Sequence, residues 1–73
     1  MPNIYLETPQ QVEEFVNAAA KCECDVNLKS GVVYIDGKSL LGVLCMGLKR
    51  ELEISATEPH PQLKRIAKKF AAA

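Results

Sequence analysis

The side chains of this sequence that could do chemistry are few, and their spacing supports little of it. The chain has one histidine, His60, and three cysteines, Cys22, Cys24 and Cys45. Structural zinc sites take four ligands, and the Cys22-x-Cys24 pair has neither a second pair nor a nearby histidine to complete one. We therefore expect no metal and no cofactor, and we interpret the cysteines as buried or half-buried free thiols.

The cysteine count and the N-terminal residues both bear on the compartment. An odd number of cysteines without a signal peptide favours a reducing compartment. The opening residues, MPNIYLETP, lack the charged start and the long apolar stretch of a signal peptide. No apolar run approaches the roughly 18 residues of a membrane span. We expect a cytoplasmic protein with no membrane partner.

The charge balance argues against a nucleic-acid partner. Nine basic residues meet nine acidic ones, for a net charge of zero, whereas nucleic-acid binders carry a basic excess because phosphate contacts supply most of their affinity. The bases Lys64, Arg65, Lys68 and Lys69 are clustered near the end of the chain. We interpret them as a solvated helix face near a helix C-terminus, where cations suit the helix dipole; a basic patch for a membrane or RNA is the alternative.

The length of the chain limits what the protein can do. Its 73 residues, 48% of them hydrophobic, predict a single domain over residues 1–73. A domain of this size buries only about 60% of its unfolded surface, which leaves little room for both a substrate cleft and a scaffold. We therefore expect a protein that is not an enzyme, and we give the terminal residues 71–73 no functional weight.

Two hydroxyl residues stand where helices should begin. Thr8 is a good N-cap and Pro9 fits the first helical position. Gln11, three residues after Thr8, predicts a reciprocal capping box, and an apolar stripe extends the helix to about Lys21. Ser39 is the second such residue, and it would cap a short helix.

The remaining pattern predicts the order β-α-β-β-α-β-α. Alternating residues indicate strands at 4–6, 24–29, 32–35 and 51–56. The short helix covers Leu40–Met46 with Gly47 as its C′ residue, and a third helical stripe follows the break at Pro59-His60-Pro61. Strands with one apolar face need helices to cover that face, so we expect an α+β open-faced sandwich with a four-stranded antiparallel sheet.

One segment resembles a known family. Residues 35–48, with the core K-S-L-L-G-V-L at 38–44, resemble HPr, the small histidine phosphocarrier of the bacterial sugar phosphotransferase system. The segments 16–20 and 52–56 fit the same family. The resemblance implies an HPr-like fold and a role connected with sugar transport and carbon catabolite regulation.

The expected phosphoacceptor is missing from the matching positions. Thr8 stands where the family has its histidine, Gln10 where it has an arginine, and Gln11 where it has a proline. An unactivated alcohol cannot replace imidazole as a reversible phosphoryl carrier, so the resemblance implies no catalytic residue here. In an HPr-like fold His60 lies at the opposite end from Thr8, and we interpret it as a capping or solvated histidine.

The resemblance also implies a regulatory site and a docking surface. Ser39 matches the serine that a dedicated kinase/phosphorylase modifies in many Gram-positive members, although it could be an N-cap alone. Leu40, Leu41 and Leu44 match positions that dock partner proteins, although core packing is the alternative. Lys38 precedes Ser39, and no acid follows it before Glu51, so we expect no local repulsion of an added phosphate.

Three functions follow from these features. The first is a regulatory, protein-binding HPr-like protein, similar to the catabolite-repression homologues of HPr, whose partners are the kinase/phosphorylase or a transcriptional regulator. The second is an unorthodox phosphocarrier of the same system, and the third is a structural or ligand-binding module on the same scaffold. We expect a monomer or a weak dimer.

Overall fold

The order of strands and helices is the predicted one. The computed structural model describes residues 3–58 and 60–72. The strands are β1 (Asn3–Tyr5), β2 (Val26–Ser30), β3 (Val33–Asp36) and β4 (Glu51–Ala56), and the helices are α1 (Pro9–Ala20), α2 (Leu40–Met46) and α3 (Pro61–Lys69). The predicted α+β open-faced fold is confirmed. None of these helices is long and apolar enough to cross a membrane.

The four strands form one antiparallel sheet in the order β1-β4-β2-β3. The register places Tyr5 opposite Glu51 and Leu28 opposite Ile54. Because side chains alternate along a strand, one face of the sheet is apolar and the other polar. The antiparallel pairing of β1 with β4 puts the end of β1 next to the start of β4, so β4 finishes at the opposite end of the sheet.

The helices supply the other half of the core. The buried residues of α1 and α3 are Val12, Phe15, Val16, Ala18, Ala19, Leu63, Ile66 and Ala67. They join the apolar sheet residues in one cluster. Burying one such large side chain stabilises the fold by about 1.5–3 kcal/mol, so the amphipathic pattern in the sequence is the main source of the layer arrangement.

The start of α1 differs in one detail from the predicted capping box. The Thr8 Oγ1 accepts the Gln11 backbone N–H at 3.2 Å, as predicted. The Gln11 Oε1, however, accepts the backbone N–H of Glu7 at 2.8 Å and not that of Thr8. The hydrogen bond from the Gln11 side chain therefore fixes Glu7, the residue before the N-cap, and not the N-cap itself.

The predicted start of β4 is confirmed, whereas the predicted starts of β1, β2 and β3 are wrong by one, two and one residues. Gly31, in the left-handed region with φ 62°, and Val32 form the two-residue turn between β2 and β3, so β3 starts at Val33. Cys24 lies in the bend before β2 and packs against the core.

The glycine after α2 serves a different purpose from the predicted one. Gly47 is the C-cap with φ −107°, outside the left-handed region, and Lys49 takes the positive φ of 57°. A Cβ at Gly47 would lie 3.0 Å from the Val43 carbonyl oxygen and 3.2 Å from the Leu52 side chain. The close approach of α2 to β4 is therefore the reason for glycine here.

The end of the chain adds to the edge of the sheet at β1. The Tyr5 N–H donates to the Phe70 carbonyl at 2.9 Å, and the Ala72 N–H donates to the Asn3 carbonyl at 2.8 Å. Ala71 and Ala72, which we gave no functional weight, thus take part in the fold. Pro59 of the predicted break and Ala73 lie outside the described residues.

Candidate functional site

Ser39 begins α2 as its N-cap. Its Oγ accepts the backbone N–H of Gly42 at 3.2 Å, and its own N–H donates to the Asp36 carbonyl at 3.1 Å. Its backbone is extended (φ −96°, ψ 105°), as an N-cap requires. The predicted cap is confirmed. Ser39 is half-buried, and a Cβ on Gly42 would lie 3.2 Å from its Oγ, so the glycine avoids a close contact with the capping hydroxyl.

The charges around Ser39 differ from those that the sequence suggested. The Lys38 Nζ donates to the Cys22 carbonyl at 2.7 Å in a partly buried position. The Asp36 Oδ1 accepts the Lys38 N–H at 3.0 Å, which places a carboxylate in the turn before Ser39. The residues between Lys38 and Glu51 include no acid, but the Asp36 carboxylate in the preceding turn is a source of the local repulsion that we did not expect.

The α2 surface consists of Leu40, Leu41 and Met46, which are 41%, 72% and 43% exposed. Val43 is fully buried on the opposite side of the helix, and Leu44 is half-buried against the core. A seven-residue helix cannot bury all these side chains on one face. Of the three predicted docking leucines, two are therefore on the surface and Leu44 is shared with the core.

The residues after α2 contact the segment that precedes Thr8. Leu48 forms a parallel bridge with Leu6, and the Lys49 N–H donates to the Leu6 carbonyl at 2.8 Å. Ser39 is at the other end of α2. The helix therefore runs between the candidate phosphorylation site and the start of α1.

The cavity next to the start of α1 has two acidic residues in its lining. This cavity of about 530 Å³ lies between the start of α1 and the end of α3, and Glu7 and Glu51 contribute to its lining. Lys69 also lines it, but its Nζ is paired with the Glu14 carboxylate. Gln10 is exposed and has no charge. This arrangement has poor electrostatics for a phosphoryl group.

His60 is the N-cap of α3. Its Nδ1 accepts the backbone N–H of Gln62 at 3.2 Å, and the ring is half-buried. The register of β1 on β4 puts the end of β4, and so His60, away from Thr8. The capping interpretation of this histidine is confirmed.

The cysteines are free thiols with three different exposures. Cys22 is buried, Cys24 is half-buried and Cys45 is exposed on α2. The expectation that all three would be at least half-buried is wrong for Cys45, since α2 buries only its Val43 side. Burial raises the pKa of the Cys22 thiol, and the neighbouring Cys24 adds to the rise. Within the described ranges, no group of three or more metal-ligating side chains could hold an ion.

Comparison with known proteins gives one match. Residues 10–73 match the family model described as the PTS HPr component phosphorylation site. No curated protein and no solved structure matches the chain. The match begins two residues after Thr8 and includes Ser39 and the whole of α2.

We expect Ser39→Ala to lower the free energy of unfolding by about 1 kcal/mol, because the Gly42 N–H loses its acceptor. Urea unfolding with an unchanged slope would measure the loss. Ser39→Asn is the matched control, since asparagine also caps helices and should restore most of the stability. A loss below a few tenths of a kcal/mol for Ser39→Ala would contradict the capping role.

We expect Leu41→Glu and Leu44→Glu to differ in stability. Leu41 is on the surface, so its replacement should change the free energy of unfolding by less than about 0.5 kcal/mol. Leu44 packs against the core, and a carboxylate there should cost more than about 1 kcal/mol. Equal losses in the two urea-unfolding curves would show that the leucines share one environment.

Proposed function

This chain belongs to the HPr family of the phosphotransferase system, and we propose that it acts there as a regulatory, protein-binding module switched by phosphorylation of Ser39. The family is one of phosphocarriers and related regulatory proteins, and we propose that this member, too, is not an enzyme. The observation that carries the proposal is the position of the Ser39 hydroxyl, at the start of α2 and next to the exposed Leu40 and Leu41. We place the protein in the cytoplasm, as a single domain and as a monomer or weak dimer.

A phosphate on Ser39 would leave α2 intact. The Oγ remains as the ester oxygen, and the added oxygens can accept from the free N–H groups of the first helical turn. The helix dipole favours the negative charge there by about 0.3–1 kcal/mol. Asp36 opposes it in part, because its carboxylate is in the preceding turn. We expect a change of surface charge without unfolding.

The consequence of phosphorylation falls on the α2 surface. Leu40 follows Ser39 directly, and Leu41 is the most exposed residue of this surface. A phosphate beside such apolar groups favours a partner that offers a hydrophobic pocket next to an arginine or lysine. The kinase/phosphorylase that modifies Ser39 and a transcriptional regulator that reads it are the partners that we propose.

The residues at the start of α1 support the proposal that this protein does not carry a phosphoryl group there. A hydroxyl replaces the imidazole, and Gln10 has no charge with which to hold a phosphate. Glu7 and Glu51 would repel one. A phosphothreonine would be a stable ester, unlike the labile P–N bond of a carrier.

A second candidate, the unorthodox phosphocarrier, is favoured by one observation. His60 caps α3 through Nδ1, which leaves Nε2 without a role in the cap. A phosphoryl group could be attached at Nε2 without breaking the cap. Its distance from the start of α1 argues against donors that recognise that end.

Incubation with an HPr kinase/phosphorylase and ATP should place one acid-stable phosphate on Ser39. Ser39→Asn keeps a helix cap but has no hydroxyl, so it should take up no phosphate while remaining folded. Phosphopeptide mapping and circular dichroism would measure both. An unmodified Ser39, or unfolding of the phosphorylated protein, would rule out the switch.

Incubation with Enzyme I and phosphoenolpyruvate should give no acid-labile phosphohistidine. His60→Ala is the control that identifies any label at His60. Labelling of the unchanged protein that His60→Ala abolishes would establish the second candidate instead. The double change Thr8→His with Gln10→Arg should gain partial acceptance, because it supplies the imidazole and the guanidinium at the start of α1.

A further inference from the structure

The bend between α1 and β2 holds one thiol inside the core and a second thiol packed against the core. Cys22 is 2% exposed, and Cys24 packs against the cluster that contains Cys22. Glu23, between them, is exposed, and the chain bends at Glu23 and Cys24. Residues two apart are at most about 7 Å apart, and a bend shortens that distance towards the roughly 4.4–6.8 Å between the Cα atoms of disulfide partners.

The two thiols differ in their access to solvent. The Cys22 Sγ donates to the Ala18 carbonyl at 3.7 Å inside the core. The Cys24 Sγ donates to the Glu58 carbonyl at 3.5 Å and lines a shallow cavity of about 370 Å³. Burial and then Cys24 raise the pKa of the Cys22 thiol, while Lys38 acts in the opposite direction. A reagent therefore meets Cys24 first.

The cavity at Cys24 is acidic. Its lining includes the carboxylate residues Glu23, Asp25 and Glu58, together with Thr57. A cationic reagent is attracted into such a site and an anionic one is repelled, and both effects weaken as salt is added.

We propose that Cys22 and Cys24 form a reversible disulfide and that small disulfides of net positive charge are its oxidants. The Cys24 thiol loses its proton to solvent, and its thiolate attacks one sulfur of the small disulfide, whose S–S bond breaks and expels a thiolate that takes up a proton. Cys22 then loses its proton to solvent, attacks the Cys24 sulfur of the mixed disulfide and expels the second thiolate. Two protein thiols and one small disulfide thus become one protein disulfide and two small thiols.

The ring that forms contains a single intervening residue, Glu23, and this explains why the bond is reversible. Short rings strain the disulfide away from its preferred geometry, and strained disulfides are the more easily reduced and regulatory ones. In a reducing compartment such a bond persists only while the oxidant is present.

Closure of the ring reaches the start of α2 through a single hydrogen bond. The Cys22 carbonyl accepts from the Lys38 Nζ at 2.7 Å, and Lys38 is the residue before Ser39. A ring with one intervening residue constrains the backbone of residues 22–24 as well as the two side chains, so we expect closure to turn the Cys22 carbonyl and to release the Lys38 ammonium group beside Ser39. The disulfide itself does not depend on the proposed function, whereas the meaning of this coupling rests on the role of Ser39.

The test uses the folded protein with Cys45→Ser, which removes the exposed thiol on α2. We expect cystamine, a dicationic disulfide, to give a product lighter by two hydrogen atoms, with the new bond in the peptide that contains Cys22 and Cys24. A dianionic reagent, dithiodiglycolate, should react at roughly a tenth of the cystamine rate or more slowly still. The difference between the two rates should shrink at high salt. Dithiothreitol should restore both thiols.

Two variants in the same background serve as controls. Cys22→Ala should stop at a stable cysteamine adduct on Cys24, and Cys24→Ser should react slowly because Cys22 is buried. A stable adduct in the protein that keeps both cysteines, or thiols that oxidise only in urea, would overturn the proposed disulfide. Equal rates for the two reagents would overturn the proposed class of oxidant.

The coupling has its own measurement, independent of any kinase. The Gly42 amide is held by the Ser39 Oγ, and we expect its hydrogen exchange to change when the disulfide closes. Unchanged exchange over residues 38–42 in the oxidised protein would show that the coupling is wrong. Failure of Ser39 phosphorylation would contradict the proposed function and leave the disulfide as it stands.

Discussion

The apolar face of the sheet has to be covered, and this requirement organises the rest of the molecule. α1 and α3 are long enough to present buried stripes, with Phe15 and Leu63 among their fully buried residues. α2 has only seven residues and contributes Val43 alone to the buried set. Its exposed leucines, Leu40 and Leu41, therefore follow from a helix that is too short to have a wholly buried face and a wholly polar one.

Both ends of α2 are held by neighbours that are distant in the chain. Lys38 joins the start to the Cys22 carbonyl, and Lys49 joins the residues after the helix to the Leu6 carbonyl. A helix fixed in this way can change its surface charge without changing its position. Phosphorylation of Ser39 would therefore act through charge and not through a movement of α2. A movement of the Cys22 carbonyl would change the contact of Lys38 at the start of the same helix.

The candidate site was partly predictable because caps are local. The hydroxyls of Thr8 and Ser39 bond to N–H groups three residues later, and the stability loss expected for Ser39→Ala depends only on that short range. The Lys38 contact with Cys22 spans 16 positions, and no periodicity in the sequence points to it. The Asp36 carboxylate lies near the start of α2 because the turn before the helix directs it to the Lys38 N–H, and the residues that follow Lys38 do not indicate this turn.

The element order, the class of fold and the residues that begin each helix could be predicted from the sequence, because amphipathic periods and capping side chains act over a few residues. The strand order, the division of the α2 leucines between surface and core, and the packing of Cys24 against the core that contains Cys22 appear only in the folded chain. These features depend on which buried surfaces meet. Which surfaces meet depends on close packing among residues far apart in the chain, and a periodic pattern of apolar residues does not predict it.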